Sequence, residues 1–279
     1  MKVKRQTDCQ ICAVALKMPN KAYGKCPDCG LIHFAQARSV KYESDYFNTE
    51  YINQYGRSYL DDKIQIQGKM KERLEICHHY SAQMNKGQLL EVGSAAGFFL
   101  ELVKARGMSA QGWEISKKMA NIANQKGLKT KAGDFFSLYQ KWSKGKNEPF
   151  QSVAMFYVLE HVSQQKKMWQ ALSQLVENGG HLLLALPSTA GPGFFFHGKK
   201  WVKDHPLDHF VDYSPRTLKI IAKKFGFKML VAKSEGIHPE RFPLGRFRLF
   251  RNFWKMAQRA YPVSDTFFAL LQKRTQNNF

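Results

Sequence analysis

Three carboxylates and two histidines stand where they could do chemistry. Glu91 closes the apolar run LLEV, Glu114 closes SAQGWE, and Asp134 follows LKTKAG, so each acid ends or follows a short run and abuts a turn. A carboxylate can accept two hydroxyl protons at once or face a cationic group, and it needs no phosphate cradle to do so. His161 comes directly after VAMFYVLE, and His209 lies in WVKDHPLDHFVDYSP. Imidazole titrates near neutrality and suits removal of a proton from a reacting group. The plainer readings are that His161 organises the start of a helix, and that Asp208 and His209 fix their loop and cap the next helix.

A second constellation lies at the front of the chain. Cys9-Gln-Ile-Cys12 and Cys26-Pro-Asp-Cys29 are two Cys-x-x-Cys pairs with the separation of a four-cysteine zinc ribbon. Gly24 and Gly30 fit the pattern of knuckle turns, whose amides point at sulfur. Four thiolates fill a tetrahedral shell and leave no open position, so the expected zinc is structural. Disulfides are the rival. The opening MKVKRQTD is polar and no apolar run of about eighteen residues occurs, so the expectation is a cytoplasmic chain with reduced thiols. Cys77, in a helical stretch, is expected to be a core thiol.

The acids need elements to hold them. LLEVGSAAGFFL reads as a strand, a small-residue turn and the start of a helix. Gly93 and Gly97 let the backbone turn tightly and approach a ligand where a Cβ would collide. FFLELVKARG has helical spacing and stops at Gly107, SAQGWEIS follows as a second strand, and Ser116 caps KKMANIANQKG. LKTKAGDFF supplies a third strand, SVAMFYVLEHV a fourth and GGHLLLALPS a fifth, the last two separated by amphipathic KKMWQALSQLVENGG. Such alternation implies an α/β fold, a parallel sheet with helices on both faces. Ligands of these sheets bind at the carboxyl ends of the strands, where Glu91, Glu114, Asp134 and Glu160 all fall. The turn lacks Gly-x-Gly-x-x-Gly spacing, which argues against a nicotinamide dinucleotide.

The ordered set EVGSAAG, GWEIS, AGDFF, YVLEHV and LLLALPS resembles the class I S-adenosylmethionine-dependent methyltransferases, in particular the branch with the quinone-biosynthesis O-methyltransferases. The resemblance covers about residues 86 to 230 and implies a Rossmann-like fold with that cofactor. It implies that Glu91, Gly93, Ser94, Ala95 and Gly97 surround the methionine part. Glu114 would hold both ribose hydroxyls with Ile115 against the adenine, Asp134 would bond the adenine amino group, and Phe135 would flank the ring. The family usually has a third glycine at Ala95 and often Asp at Glu91. Glu-His, as at 160–161, is also frequent there. Some sugar C-methyltransferases resemble the chain in joining a four-cysteine module to this domain, but they carry a further carboxyl-terminal domain.

Four regions follow: a zinc ribbon over residues 1–40, a helical segment over the cofactor site at 41–85, the methyltransferase domain at 86–240, and a basic, aromatic, helical tail at 241–279. In the second, Tyr51, Tyr55 and Tyr59 share a helical face, either as a core stripe or across the cofactor. Segment 188–206 holds Phe194, Phe195, Phe196 and Trp201 among lysines, and is either a lid over an apolar anionic acceptor or a packed loop. The net charge of +21 is heaviest at the two ends. Such a field suits an anionic membrane surface or nucleic acid. The expected activity is methylation of a small-molecule acceptor, through oxygen. RNA as acceptor and a non-catalytic scaffold are the alternatives. The missing Asn-Pro-Pro-Tyr-type motif weighs against RNA, and the retained Glu114 and Asp134 against a scaffold. No repeat or low-complexity block occurs.

Overall fold

Runs of fully buried aliphatic residues, such as Leu89-Leu90, Val153 to Met155 and Leu182 to Leu186, mark strands covered on both faces. The computed structural model describes residues 6–40, 49, 51–52, 56–81, 87–191, 193–194, 202–203, 205–235 and 264–275. Its strands are β1 Tyr23–Lys25, β2 Ile32–Phe34, β3 Gln88–Val92, β4 Ser109–Glu114, β5 Lys129–Ala132, β6 Phe150–Phe156, β7 Val176–Pro187, β8 Val211–Asp212, β9 Phe227–Glu235 and β10 Thr266–Lys273. The helices are α1 Lys63–Tyr80, α2 Phe98–Ala105, α3 Lys117–Gln125, α4 Phe135–Lys144, α5 Gln165–Leu175 and α6 Pro215–Lys224, with a 3-10 turn at Leu159–His161. Seven strands form one sheet in the order β5-β4-β3-β6-β7-β10-β9, and β1-β2-β8 form another. The expected α/β Rossmann-like architecture is therefore present.

The chain divides into two compact units. One comprises residues 1–39, 156–170 and 184–274, the other residues 40–155, 171–183 and 275–279. In the second, β3 is flanked by β4 and β6, and β4 by β5, all parallel. Glu91 pairs with Gly112 across β3 and β4, so both strands end at one edge. The helices begin and stop where the sequence marks them. Ser116 accepts from the Met119 amide to cap α3, and Asp134 accepts from the Ser137 amide to cap α4.

In the first unit β2 pairs antiparallel with β1 and also with β8. The tail departs from expectation, because Thr266–Lys273 is a strand, antiparallel to β9, and not part of a helix. Phe267 to Leu271 are fully buried. A run apolar at every position suits a strand packed on both faces, and periodicity alone cannot separate that from a buried helix. Residues 241–263 lie outside the described ones, as do Tyr55, Phe195, Phe196 and Trp201.

Gly97 has φ +79, and a Cβ there would collide with the Leu128 side chain. Gly97→Ala combines left-handed strain with overpacking and is expected to lower stability by about 2–4 kcal/mol, read as a lower denaturant midpoint.

Candidate functional site

The loop between β3 and α2 is built from left-handed residues: Gly93, Ala95 and Gly97 have φ of 75, 44 and 79. Ala95 occupies the position where the resembling family has glycine, and its backbone keeps a glycine-like conformation. The loop folds back on β4. Gly93 N–H donates to the Trp113 carbonyl at 2.8 Å, and Ala95 N–H donates to Glu114 Oε2 at 2.8 Å. Gly112 lets this happen, since a Cβ there would collide with Ser94 Oγ.

Glu114 is 7% exposed and also accepts the Ser116 N–H on Oε1 at 2.8 Å. Each carboxylate oxygen has a second lone pair, so the side chain retains capacity for two further donors. Burial raises the Glu114 carboxyl above the ordinary carboxylate range despite these amides. Glu91 is 2% exposed, and its Oε2 has no hydrogen-bond partner among the described residues. Burial, and then the neighbouring Glu114, push its carboxyl well up, while Arg73 opposes them. A buried carboxylate oxygen without a donor is a cost to the fold unless something cationic meets it.

The remaining expected ligand residues lie around Glu114. Gly133 N–H donates to the Glu114 carbonyl at 2.9 Å, which places Asp134 next to that strand end. Asp134 is exposed, and the Ser137 side chain, then the Ser137 amide that it caps, draw its carboxyl down. Ile115 is 48% exposed. Phe135 lies 5.9 Å from Trp113 and stacks on Tyr139 at 6.0 Å.

Two contributors come from ahead of β3. Tyr59 stacks on Phe98 at 5.0 Å and meets Tyr51 edge-on at 5.4 Å, and its hydroxyl is pushed up by burial, then by Glu91 and Glu114. Arg73, buried in α1 beside Met70, Leu74 and Cys77, supplies the charge that opposes the rise at Glu91. Arg73 leaves only a faint mark in the sequence. Its signal is an arginine on the buried stripe of an otherwise polar helix. Gln67 anchors that helix to α2 by donating to the Phe98 carbonyl and to Glu101. Cys77 is a buried thiol pushed up to about 12, as expected of a core residue.

In the other unit the four sulfurs of Cys9, Cys12, Cys26 and Cys29 lie within 4.8 Å of one another. Cys9 and Cys29 sulfurs are 3.8 Å apart, and Lys224 Nζ donates to Cys12 at 3.0 Å. The knuckles differ from expectation in one respect. The left-handed residues after the two pairs are Ala13, φ 55, and Gly30, φ 79. Gly24 instead sits in β1, where a Cβ would press on Met18 and Leu16.

His161 and His209 occupy the same unit. β6 stops at Phe156, short of the expected strand, because Tyr157 turns left-handed at φ 57 with its N–H on the Ala185 carbonyl. The 3-10 turn that follows carries Glu160 and His161. Gln165 holds this turn by donating to the Leu159 and Val162 carbonyls, each at 2.7 Å. Tyr213 in turn donates to Gln165 and receives the Trp169 indole N–H at 3.0 Å. His161 Nδ1 is 3.1 Å from Asp208 Oδ2, and its ring meets His209 edge-on at 4.6 Å. Burial works against the Asp208 carboxylate, yet His161 holds it down at about 2. Burial opposes charge on His209 too, but Asp212 raises it overall. Neither Asp208 nor His209 caps the next helix, contrary to the plainer reading. Ser214 does so, accepting the Thr217 amide.

Comparison with known proteins agrees with this architecture. A methyltransferase domain family matches residues 64–232. No curated protein matches in sequence. Among solved structures, a SAM-dependent methyltransferase from Archaeoglobus fulgidus is similar at TM-score 0.57 and 14% identity, over 82% of this chain and 100% of that one. Magnesium protoporphyrin IX methyltransferase from Synechocystis PCC 6803, with bound SAH, gives 0.55 and 13%, over 82% and 97%. A putative sarcosine dimethylglycine methyltransferase from Galdieria sulphuraria gives 0.52 and 13%, over 75% and 85%. With the family match spanning most of the chain, and with its acids gathered at the ends of adjoining parallel strands, the protein belongs to the methyltransferase domain family.

Proposed function

We propose that the chain transfers the methyl group of S-adenosylmethionine to a hydroxyl oxygen of a small-molecule acceptor. The observation that carries the reading is the pair of buried carboxylates, Glu91 and Glu114, at the ends of adjoining strands, with the 93–97 loop closing on one of them. The donor set fits the cofactor. Glu114 has acceptor capacity for two ribose hydroxyls. Glu91 offers an unpartnered negative oxygen to the cationic methionine part, against Gly93, Ser94, Ala95 and Gly97. Ile115 and Phe135 flank the adenine, and Asp134 accepts from its amino group.

The bound cofactor supplies an activated methyl on sulfonium. The chain's residues then have three tasks: to bind, to align the acceptor and to remove its proton. His161 is the base in this reading, its ring placed by Asp208, whose Oδ2 lies 3.1 Å from Nδ1. His209, turned toward Asp212, is the weaker candidate. The four-cysteine cluster serves as a structural zinc ribbon.

Protonation of the two acids has opposite effects on fold and binding. Their raised carboxyls stabilise the unliganded protein below the ordinary carboxylate range, and this contribution is lost as pH rises through the raised values. Cofactor affinity instead needs the ionised form, so it falls as pH drops through the same window. Glu91→Gln removes the buried charge and is expected to stabilise the unliganded protein at neutral pH by about 1–3 kcal/mol while weakening cofactor binding. Thermal unfolding and calorimetry on one preparation check both signs.

The acceptor is tested by incubating a metabolite extract with protein and isotopically labelled methyl donor, followed by mass spectrometry. A labelled small product with the methyl on oxygen supports the reading. Label entering RNA, or no product from a protein that binds the donor, overturns it. His161→Gln is expected to keep cofactor affinity and lose turnover.

A further inference from the structure

We propose that His205, His209 and Asp212 form a second metal site, for a divalent first-row transition ion, separate from the four cysteines. His209 Nδ1 lies 3.6 Å from Asp212 Oδ1, and His205 Nε2 lies 3.9 Å from Asp212 Oδ2. Both distances exceed the range of about 2.7–3.2 Å for an N–H···O hydrogen bond. They approach the separation of about 3.4 Å between neighbouring ligands of a tetrahedral ion with bonds near 2.1 Å. One ligand atom from each residue falls within 4.8 Å of the other two.

Asp212 provides independent support. It is 1% exposed, and neither of its oxygens has a hydrogen-bond partner among the described residues. A carboxylate withdrawn from water with no donor at bonding distance is strongly unfavourable, and a cation between it and two imidazoles resolves the deficit. Glu160, also 1% exposed, has no hydrogen-bond partner on either oxygen among the described residues and groups with His161 and His209 beside the site.

The fold has features that pre-set the site. Asp212 is fixed in β8 through its pairing with Ile32 of β2, and the His205 ring stacks on Phe34 of β2 at 3.8 Å between centroids. His205 and His209 rings meet edge-on at 5.0 Å, on one short loop leading into that strand. Two nitrogens and one oxygen suit zinc, cobalt or ferrous iron better than magnesium or calcium. Three protein ligands also leave a position open, unlike the closed four-sulfur cluster.

The test uses the full chain with zinc already in its cysteine cluster, titrated with cobalt(II). The wild type is expected to take one further equivalent, with visible bands of a nitrogen and oxygen environment and no thiolate charge-transfer band. Asp212→Asn and His205→Gln should each weaken that equivalent by about a hundredfold or more while the zinc is retained, which reports an intact fold. Absence of the further equivalent in the wild type, or an equivalent of unchanged affinity in both zinc-retaining variants, overturns the proposal. In that case the imidazoles are simply proton-bearing partners of Asp212.

Discussion

Glu114→Ala is expected to weaken S-adenosylmethionine binding by at least about a hundredfold. Two hydrogen bonds from ribose hydroxyls to a charged, buried acceptor are worth about 1.5–3 kcal/mol each, and each 1.4 kcal/mol is tenfold in affinity. The side chain also closes the 93–97 loop on β4 by accepting the Ala95 amide, and accepts the Ser116 amide as well. Glu114→Gln is informative because it preserves shape. Its amide group must turn hydrogens toward one of those two N–H donors, so it too is expected to bind poorly. S-adenosylhomocysteine carries the same ribose and should lose affinity to the same extent. Calorimetric titration of the two variants with both ligands measures this. Undiminished binding would remove Glu114 from the proposed site.

The second large effect concerns the cysteines. β1 and β2 have three residues each, too little sheet to be stable alone. Structural zinc in small peptides contributes about 10–16 kcal/mol of apparent binding energy, which in such modules is folding energy. Cys26→Ser is therefore expected to release one zinc per chain and lower the melting temperature markedly, with chelation of the wild type giving the same shift. Because β2 also pairs with β8, loss of the ribbon should speed hydrogen exchange at Val211 and Asp212. Metal analysis with thiol counting under denaturing conditions checks this. Four alkylatable thiols appearing only after chelation fit a zinc site, whereas thiols released only by a reductant fit disulfides.

Much of the sheet could be read from sequence because its signals are local. Buried strands of parallel sheets are continuous apolar runs, and Ser116, Asp134 and Ser214 mark helix starts by a side-chain oxygen followed by helical spacing. Features that depend on distant pairing were not legible. The strand at 266–273 is defined by its antiparallel register with β9, and β8 by a partner near the front of the chain. Neither leaves a period in its own residues.

The site follows the same division. The placement of Glu91 and Glu114 near strand ends, and the turn at 93–97, were legible because strand ends and small-residue turns are written in consecutive residues. Arg73 was not, since its importance comes from facing Glu91 rather than from its neighbours in the chain. Ala13 shows a further limit, because alanine takes the left-handed knuckle position where glycine would be the usual marker. His205, His209 and Asp212 are close in sequence, but without the β2–β8 pairing nothing in that stretch marks the carboxylate as buried beside both imidazoles.

The most direct measurement is a calorimetric titration of the folded wild-type protein with S-adenosylmethionine at neutral pH. One cofactor per chain, bound with an affinity that falls on acidification, is the predicted result. A folded protein that takes up no cofactor would contradict the account, however well the sheet and its acids are formed.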